Sequence, residues 1–304
     1  MQDNKKHLVV VCGPTAVGKT SLAIQLANYF KTEIVSADSR QFFKEMTIGT
    51  AKPSAKELAQ AKHHLVGNIS IFDEYNAGRF AREALEIIND LFEKYDILIL
   101  VGGSGLYINA LLNGIDDMPE MNPEIRNFLN KKFEVQGLAP LLEQLKWLDQ
   151  EYYYKVDQNN PQRVIRALEV CLSTGKPYSS FHQKKESKLP FEVISLALNL
   201  PREELYDNIN KRVDQMMENG LLDEAKNLYP HKHFYALQTV GYSELFDYFE
   251  GKTSLEKAIE LIKQHTRNYA KRQITWFKRD ENTMWFSPEE FIKIKNYISE
   301  KIRR

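Results

Sequence analysis

A glycine-rich segment near the start of the chain, Gly-Pro-Thr-Ala-Val-Gly-Lys-Thr at residues 13–20, constrains the fold more than any other feature. It matches the pattern G-x-x-x-x-G-K-T, follows the apolar run at residues 8–11 and leads into a helical pattern. A loop in this context turns backbone N–H groups toward phosphate oxygens, and the N-terminus of the following helix adds positive potential. The sequence therefore predicts a phosphate-binding loop (P-loop) on an α/β scaffold.

The polar residues of this loop have expected roles. Lys19 would reach a terminal phosphate, and the Thr20 hydroxyl would help to hold Mg²⁺. The alternative is a glycine-rich turn without a ligand, but motif and context are both intact and favour phosphate binding. The predicted phosphate-binding residues are Gly13, Pro14, Thr15, Ala16, Val17, Gly18, Lys19 and Thr20.

Further apolar runs indicate a parallel sheet. Strand-like runs lie at residues 33–37, 97–101 and 192–200, and helical spacing lies at residues 22–30 and 80–94. Strands that alternate with helices are typical of a doubly wound α/β sheet flanked by helices. From Pro201 onward the pattern predicts helix nearly to the end of the chain.

The character of the sequence changes between residues 114 and 188. A break, Asp-Asp-Met-Pro at residues 116–119, precedes helical patterns at Pro123–Gln136, 138–148 and 161–173, without a strand of comparable apolarity. We therefore expect a P-loop α/β core of residues 1–115 and 189–304, interrupted by a mostly helical insertion domain at residues 116–188. The polar stretch at residues 179–189 would return the chain to the core.

Bulk composition limits the remaining possibilities. A chain of 304 residues suits one large domain or a core with an insert. Its 43% hydrophobic and 27% charged residues are typical of a globular protein without a membrane segment, which we expect to be a cytoplasmic monomer. The two cysteines, Cys12 and Cys171, exclude a disulfide scaffold and a cysteine-built zinc finger. The zero net charge argues against coating of a polyanion but allows a local basic patch.

The loop alone leaves the reaction open. In P-loop NTPases an acidic residue at the end of a second strand usually assists the metal. Here the strand at residues 97–101 leads instead into Gly-Gly-Ser-Gly at residues 102–105. Ser104 would donate to a phosphate or bridging oxygen, although a tight turn also needs small residues. The missing carboxylate counts against nucleotide hydrolysis and favours a phosphate that is simply held.

A carboxylate follows the second strand. Ligands of open α/β sheets bind beyond the carboxyl ends of the strands, so Asp38 should face the same crevice as Lys19. Taken alone, an aspartate at this position is more often a helix cap or a turn residue.

Seven segments of the chain, read in order, form a distinctive set. They are the P-loop, Asp-Ser-Arg-Gln at 38–41, Ile-Gly-Thr-Ala-Lys-Pro at 48–53, Val-Gly-Gly-Ser-Gly-Leu-Tyr at 101–107, Pro-Gln-Arg-Val-Ile-Arg-Ala-Leu-Glu-Val at 161–170, Val-Gly-Tyr at 240–242 and Ala-Lys-Arg-Gln-Ile-Thr-Trp at 270–276. Together they resemble the bacterial tRNA dimethylallyltransferases of the IPP transferase family. The resemblance covers nearly the whole chain. It implies transfer of a dimethylallyl group from dimethylallyl pyrophosphate to N6 of adenosine 37, 3′ of the anticodon, in tRNAs that read codons starting with U. Pyrophosphate would be released.

The resemblance also implies roles for individual residues. Asp38 would be the general base toward the adenine amine, with Lys19 and Ser104 completing the catalytic set. Arg212 would join the P-loop at the pyrophosphate, and Mg²⁺ would be the cofactor. The anticodon arm of tRNA would contact Asp38, Ser39, Arg40, Gln41, Ser104, Arg126, Gln162, Arg163, Val164, Ile165, Arg166, Gln238, Thr239, Val240, Gly241, Tyr242 and Ser243.

Three positions depart from the family pattern. Asn208 stands where a second arginine usually lies one helical turn before Arg212, so the pyrophosphate contacts are expected to be weaker or rearranged. Ser243 stands where the family often has arginine, and Ser104 where it usually has threonine. Eukaryotic relatives carry a C-terminal zinc finger, and two distant cysteines predict none here.

Alternatives of other classes are open from the residues alone. A P-loop kinase or NTPase would turn over ATP, and the P-loop motif is typical of proteins that bind ATP. A nucleic-acid-binding module would use the loop as a nucleotide-gated switch, and an adenylate prenyltransferase would modify free AMP or ADP. The basic residues Arg267, Lys271 and Lys278 fit an RNA partner, but equally the solvated face of an amphipathic helix.

Overall fold

The computed structural model describes residues 5–114, 122–181 and 189–303. The predicted break at residues 116–119 and the part of the polar stretch at 182–188 lie outside these described residues.

Strands and helices alternate through the first half of the described chain. The strands are β1 (His7–Cys12), β2 (Ile34–Ser36), β3 (His63–His64), β4 (Ile97–Gly102), β5 (Glu192–Leu198) and β6 (Met284–Phe286). The helices are α1 (Lys19–Phe30), α2 (Ala55–Leu58), α3 (Ala77–Phe92), α4 (Gly105–Asn113), α5 (Pro123–Gln136), α6 (Ala139–Leu148), α7 (Gln150–Lys155), α8 (Pro161–Thr174), α9 (Arg202–Glu218), α10 (Leu221–Leu228), α11 (Tyr242–Phe249), α12 (Leu255–Phe277) and α13 (Phe291–Ile302). Short 3₁₀ turns lie at Tyr178–Phe181, Tyr229–His231 and Tyr235–Leu237.

The six strands form one sheet in the order β3-β2-β4-β1-β5-β6, and every pairing is parallel. The prediction of a parallel α/β sheet with flanking helices is confirmed. Because all strands point the same way, their carboxyl ends lie at one edge, where the segments after β1, β2 and β4 meet.

The sheet is buried on both faces, which explains the continuous apolar character of its central strand. All six residues of β1 are buried. Successive side chains alternate between the faces. Leu8 and Val10 join a core cluster with side chains of α3, α10, α11 and α12, whereas Val9 and Val11 join one with α1, α9 and α13.

The chain divides into two compact units, Met1–Leu112 with Lys188–Arg304, and Asn113–Ser187. The second unit carries α5 to α8 and has its own core, which includes Leu129, Leu141 and Leu145. Helix α5 begins where the Asn122 side chain accepts a hydrogen bond from the Glu124 N–H. It ends at a glycine with positive φ, Gly137. These are the start and stop signals that the sequence carries.

Two strands escaped the sequence pattern. The prediction of helix from Pro201 nearly to the end is wrong at β6, which pairs with β5 through Leu196 to Leu198. Strand β3, at the opposite edge, has only two residues. Edge strands of two or three residues carry too little periodicity to be recognised. Among the helices of the described residues, none combines the length and apolarity needed to cross a membrane.

Candidate active site

The P-loop connects β1 to α1 in a conformation that requires glycine. Gly13 has a φ of +141°, and a Cβ on it would lie 2.7 Å from the Leu198 carbonyl oxygen. Gly18 has a φ of +96° and immediately precedes α1, which begins at Lys19. Since the first N–H groups of a helix lack intrahelical partners, they are available to an anion at this loop.

A cavity of about 530 Å³ opens beside this loop. Its wall comes from the P-loop, the segment after β2, the Gly-Thr-Ala-Lys-Pro segment, and helices α9 and α12. Of the predicted site residues it is lined by Thr15, Ala16, Val17, Gly18, Lys19, Thr20, Asp38, Ser39, Arg40, Gln41, Arg212, Thr239, Val240 and Gly241.

Lys19 is the central cation of the cavity. Its Nζ donates to the Pro14 carbonyl oxygen at 2.6 Å. Burial disfavours the charged ammonium and lowers the pKa of Lys19 to about 8, with Asp38 opposing the shift and Arg212 adding to it. A dianionic ligand would restore the lost solvation by direct charge pairing.

Arg212, on α9, faces the P-loop. Its guanidinium makes long contacts, 3.5 Å each, to Thr15 Oγ1 and to the Ala51 carbonyl oxygen. Burial lowers the pKa of Arg212, with Asp38 opposing the shift. An arginine has five N–H donors, so most of them stay available to a ligand. Asn208, one turn earlier, also lines the cavity and brings a neutral amide where the resemblance predicts a second arginine.

Asp38 follows β2 and has a local role as well as a place in the cavity. Its Oδ1 accepts a hydrogen bond from the Arg40 N–H at 3.0 Å, the turn contact that the alternative interpretation predicts. The same carboxylate lines the cavity and interacts electrostatically with Lys19 and Arg212. The structure therefore brings Lys19, Asp38 and Arg212 together.

Ser104 contacts the residue that follows Asp38. It is buried, and its Oγ accepts from the Ser39 N–H at 2.9 Å and donates to Ser39 Oγ at 3.0 Å. Ser104 is not among the residues that line the cavity. The preceding turn is tight, since a Cβ on Gly102 would lie 2.3 Å from the Ala37 carbonyl oxygen. In this conformation the Ser104 hydroxyl fixes the turn that carries Asp38.

Gln273, on α12, is a residue to which the sequence analysis gave no role. Its Oε1 accepts from the Thr15 N–H at 2.9 Å, and its Nε2 donates to the Gly103 carbonyl oxygen at 2.8 Å. One buried amide thus joins the P-loop to the loop after β4. Its only signal in the sequence is that it lies in the distinctive segment at residues 270–276, which does not reveal the two loops that it joins.

The Gly-Thr-Ala-Lys-Pro segment is fixed by one carboxylate. Glu224 accepts hydrogen bonds from the N–H groups of Thr47, Ile48 and Gly49 and, at 2.6 Å, from the Tyr242 hydroxyl. A Cβ on Gly49 would lie 2.6 Å from the Tyr242 ring, so only glycine fits. Tyr242, a predicted tRNA contact, is fully buried and acts in this packing.

The other predicted tRNA contacts of the core have different surroundings. The Gln41 amide donates to the Thr50 and Ala51 carbonyl oxygens. Gln238 and Ser243 line a second cavity of about 490 Å³, together with Thr239 and Val240 of the first. In the same wall His265 Nδ1 lies 2.6 Å from Glu244 Oε1.

The predicted tRNA contacts of the insert fall into two groups. Val164 and Ile165 are buried in its core, where their side chains pack inward. Arg126 and Arg166 each donate to the buried Glu169 carboxylate at 2.8 Å.

Exposed groups remain beside them. Gln162 and Arg163 lie on the exposed face of α8. Gln162 Oε1 is a long 3.4 Å from the Arg126 guanidinium.

The basic residues of α12 partly serve contacts within the protein. Arg267 donates to Asn210 Oδ1 at 2.7 Å, and both Arg267 and Lys271 lie over the Tyr206 ring. Within the described residues no group of three or more histidine, cysteine, aspartate or glutamate side chains is arranged to hold a metal ion.

Comparison with known proteins gives a consistent result. The model of the IPP transferase family matches residues 41–280. The tRNA dimethylallyltransferase of Christiangramia forsetii is 52% identical over 97% of this chain and 98% of its own length. That of Flavobacterium johnsoniae is 52% identical over 98% and 99%.

Solved structures agree. The tRNA isopentenylpyrophosphate transferase of Bacillus halodurans superposes with a TM-score of 0.73 at 35% identity, over 98% of this chain and 97% of that one. A eukaryotic dimethylallyltransferase acting on tRNA gives a TM-score of 0.74 at 32% identity, over 89% of this chain and 69% of that one.

Proposed function

This chain belongs to the IPP transferase family, and we propose that it is a tRNA dimethylallyltransferase, which transfers a dimethylallyl group from its pyrophosphate to an adenosine of tRNA. The observation that carries the proposal is the cavity at the carboxyl edge of the sheet that is lined by Lys19, Arg212 and Asp38. Two cations suit a pyrophosphate, and a carboxylate beside them suits an amine that must lose a proton.

The donor binds through its pyrophosphate. The N–H groups at the start of α1, the Lys19 ammonium and the Arg212 guanidinium would contact its oxygens. As the allylic carbon–oxygen bond breaks, negative charge grows on the leaving oxygen, and these prearranged positive groups stabilise it. Nothing needs to be hydrolysed, which agrees with the Gly-Gly-Ser-Gly sequence, free of carboxylates, that follows the apolar run of β4.

The residues of the cavity fit a magnesium ion that is bound mainly by the donor. Mg²⁺ keeps several waters and usually takes only one or two protein ligands beside substrate phosphates. The Thr20 hydroxyl lines the cavity one residue after Lys19 and would be such a ligand. The ion would supply charge neutralisation on the pyrophosphate.

The acceptor is the exocyclic amine of adenine. Its lone pair is delocalised into the ring, and a carboxylate is too weak a base to deprotonate the free amine. Asp38 therefore takes the proton late, as the new carbon–nitrogen bond makes that nitrogen acidic. The base must leave the anticodon stack to enter the cavity.

The finer assignments follow from the family resemblance. The product would be N6-isopentenyladenosine at position 37 of tRNAs that read codons starting with U. The RNA would contact the exposed or cavity-lining members of the predicted set, chiefly Ser39, Arg40, Gln162, Arg163, Ser243 and residues 238–241. We also propose a cytoplasmic monomer, and sedimentation of the purified protein tests its oligomeric state. ATP binding at the P-loop stays a prediction.

One acceptor experiment tests the activity. The protein is incubated with labelled dimethylallyl pyrophosphate and Mg²⁺, with tRNA, AMP, ADP or ATP as acceptor. We expect label only in tRNA, and mass spectrometry of the nucleosides should locate it at adenosine 37. Label in AMP or ADP would favour the adenylate prenyltransferase alternative. Hydrolysis of ATP at a comparable rate would favour the kinase alternative.

A further inference from the structure

An exposed aromatic side chain lies next to the cavity, on the turn Tyr235–Leu237 between α10 and α11. Tyr235 is 71% exposed. Burying a large aromatic ring normally stabilises a fold, so a ring left in water contributes little to this one. We therefore consider which binding partner the Tyr235 ring could contact.

The Tyr235 ring is exposed but held in place. The Arg40 guanidinium lies over it, 5.1 Å from the ring centroid. The same guanidinium donates to the carbonyl oxygens of Tyr235 and Ala236, at 3.3 and 3.1 Å. The preceding Phe234 packs edge-on against Phe72, with 5.1 Å between ring centroids. One face of the ring is thus covered by a cation, and the backbone that carries it is fixed.

A short chain of contacts joins this ring to Asp38. The Arg40 N–H donates to Asp38 Oδ1 at 3.0 Å, and Arg40 itself lines the cavity. Asp38, Arg40 and Tyr235 all lie close enough to the Tyr107 hydroxyl to affect its pKa electrostatically. One residue, Arg40, therefore contacts both the exposed Tyr235 ring and Asp38, the proposed general base.

We propose that Tyr235, backed by Arg40, is a stacking platform for the base of an unpaired tRNA nucleotide that neighbours the target adenosine. The inference rests on the proposed function. When the target adenine leaves the stack, its neighbour loses a stacking partner. An aromatic ring can replace that partner, and proteins that read single-stranded RNA stack bases on tyrosine and arginine planes in this way. The guanidinium behind the ring adds a cation–π contact and favours an RNA partner.

The first test compares binding of an anticodon stem–loop, measured by fluorescence anisotropy. Loss of a base–aromatic stack should raise the Kd of Tyr235→Ala by about 5- to 150-fold, while Tyr235→Phe keeps the ring and binds like wild type. Donor affinity and Tm should not change, because the ring is exposed. Tyr29→Ala is the matched control, since Tyr29 is 49% exposed, has Lys295 over its ring and lies in the last turn of α1.

A second test identifies the base. Stem–loops with an abasic nucleotide on either side of the target adenosine are bound to wild type and to Tyr235→Ala. We expect wild type to bind one of the two abasic stem–loops more weakly than the intact stem–loop. Tyr235→Ala should bind that abasic stem–loop and the intact stem–loop with equal affinity. Unchanged binding by Tyr235→Ala, or losses that simply add, would overturn the platform. Failure of wild type to modify any tRNA would instead overturn the proposed function, so the two results are distinguishable.

Discussion

The two functions of the Asp38 carboxylate use different chemistry and are separable by substitution. Its Oδ1 accepts the Arg40 N–H, which an asparagine oxygen can also do. Only the carboxylate can take a proton from the adenine amine. We expect Asp38→Asn to keep the fold, donor affinity and tRNA affinity while transfer slows by a factor of about 10²–10⁴.

The measurement is single-turnover transfer with donor and tRNA both saturating. Asp38→Ala is the companion variant, because it removes the turn contact as well and should also lower Tm. A transfer rate near that of wild type in Asp38→Asn would mean that Asp38 is a turn residue only.

The lowered pKa of Lys19 gives donor binding a defined pH dependence. The Lys19 side chain pairs with pyrophosphate only in its protonated, ammonium form, and burial lowers its pKa to about 8 in the free protein. Bound pyrophosphate raises that pKa again. Affinity for the donor should therefore be constant below about pH 7.5 and fall about tenfold per pH unit above pH 8, until the pKa of the complex is reached.

Equilibrium binding of dimethylallyl pyrophosphate across a range of about pH 6.5 to 9.5, which brackets the lysine titration, checks this. Lys19→Arg is the control, because a guanidinium stays charged throughout that range. Its donor affinity should be independent of pH, whatever its absolute value. The same decline in Lys19→Arg as in wild type would assign the titration to another group.

Among the elements, α12 braces two loops that are far away in sequence. Gln273 satisfies the Thr15 N–H and the Gly103 carbonyl oxygen at once. Gln273→Ala leaves both without their partner, at a cost of about 1–3 kcal/mol for each buried group. We expect lower stability in urea unfolding together with weaker donor binding, because the P-loop loses its support.

Gln25→Ala is the matched control for this prediction. Gln25 is an exposed glutamine on α1 whose amide donates to Ser21 Oγ at 3.3 Å, so its removal should change neither property. A Gln273→Ala protein of normal stability and normal donor affinity would contradict the bracing role.

Local motifs could be predicted from the sequence, whereas contacts between segments that are distant in sequence could not. The P-loop and Asp38 were predictable, because each is a local motif beside a buried apolar strand. The bracing by Gln273 and the fixing of Gly49 by Glu224 were not, because helical periodicity does not tell which residues of α12 or α10 meet loops 170 or more positions away. Strand β6 was missed since three residues carry no usable alternation. Val164 and Ile165 entered the predicted RNA contacts as part of a motif that also builds the insert's core.

At the scale of the whole molecule, the insert is proposed to contact the RNA and the core to bind the donor. A triple alanine substitution of Arg126, Arg163 and Arg166 would test the charges of the insert. Two of these arginines, however, neutralise the buried Glu169. Removing them strands a buried carboxylate, which destabilises a protein by about 3–5 kcal/mol and would confuse weaker binding with a failure to fold.

A cleaner design uses two variants. The first is Arg163→Ala alone, because Arg163 is exposed on α8 and forms neither of these ion pairs. The second combines the triple alanine substitution with Glu169→Gln, so that no buried carboxylate is left unpaired. Each phosphate that the protein no longer neutralises should reduce the slope of log affinity against log salt by about 0.7–0.9. We therefore expect weaker tRNA binding with a flatter salt dependence, and Arg163→Ala should flatten it by the amount expected for a single phosphate. Donor affinity should not change, because its proposed ligands belong to the core. An unchanged slope in both variants would exclude the insert arginines as phosphate ligands and direct the search to the basic face of α12.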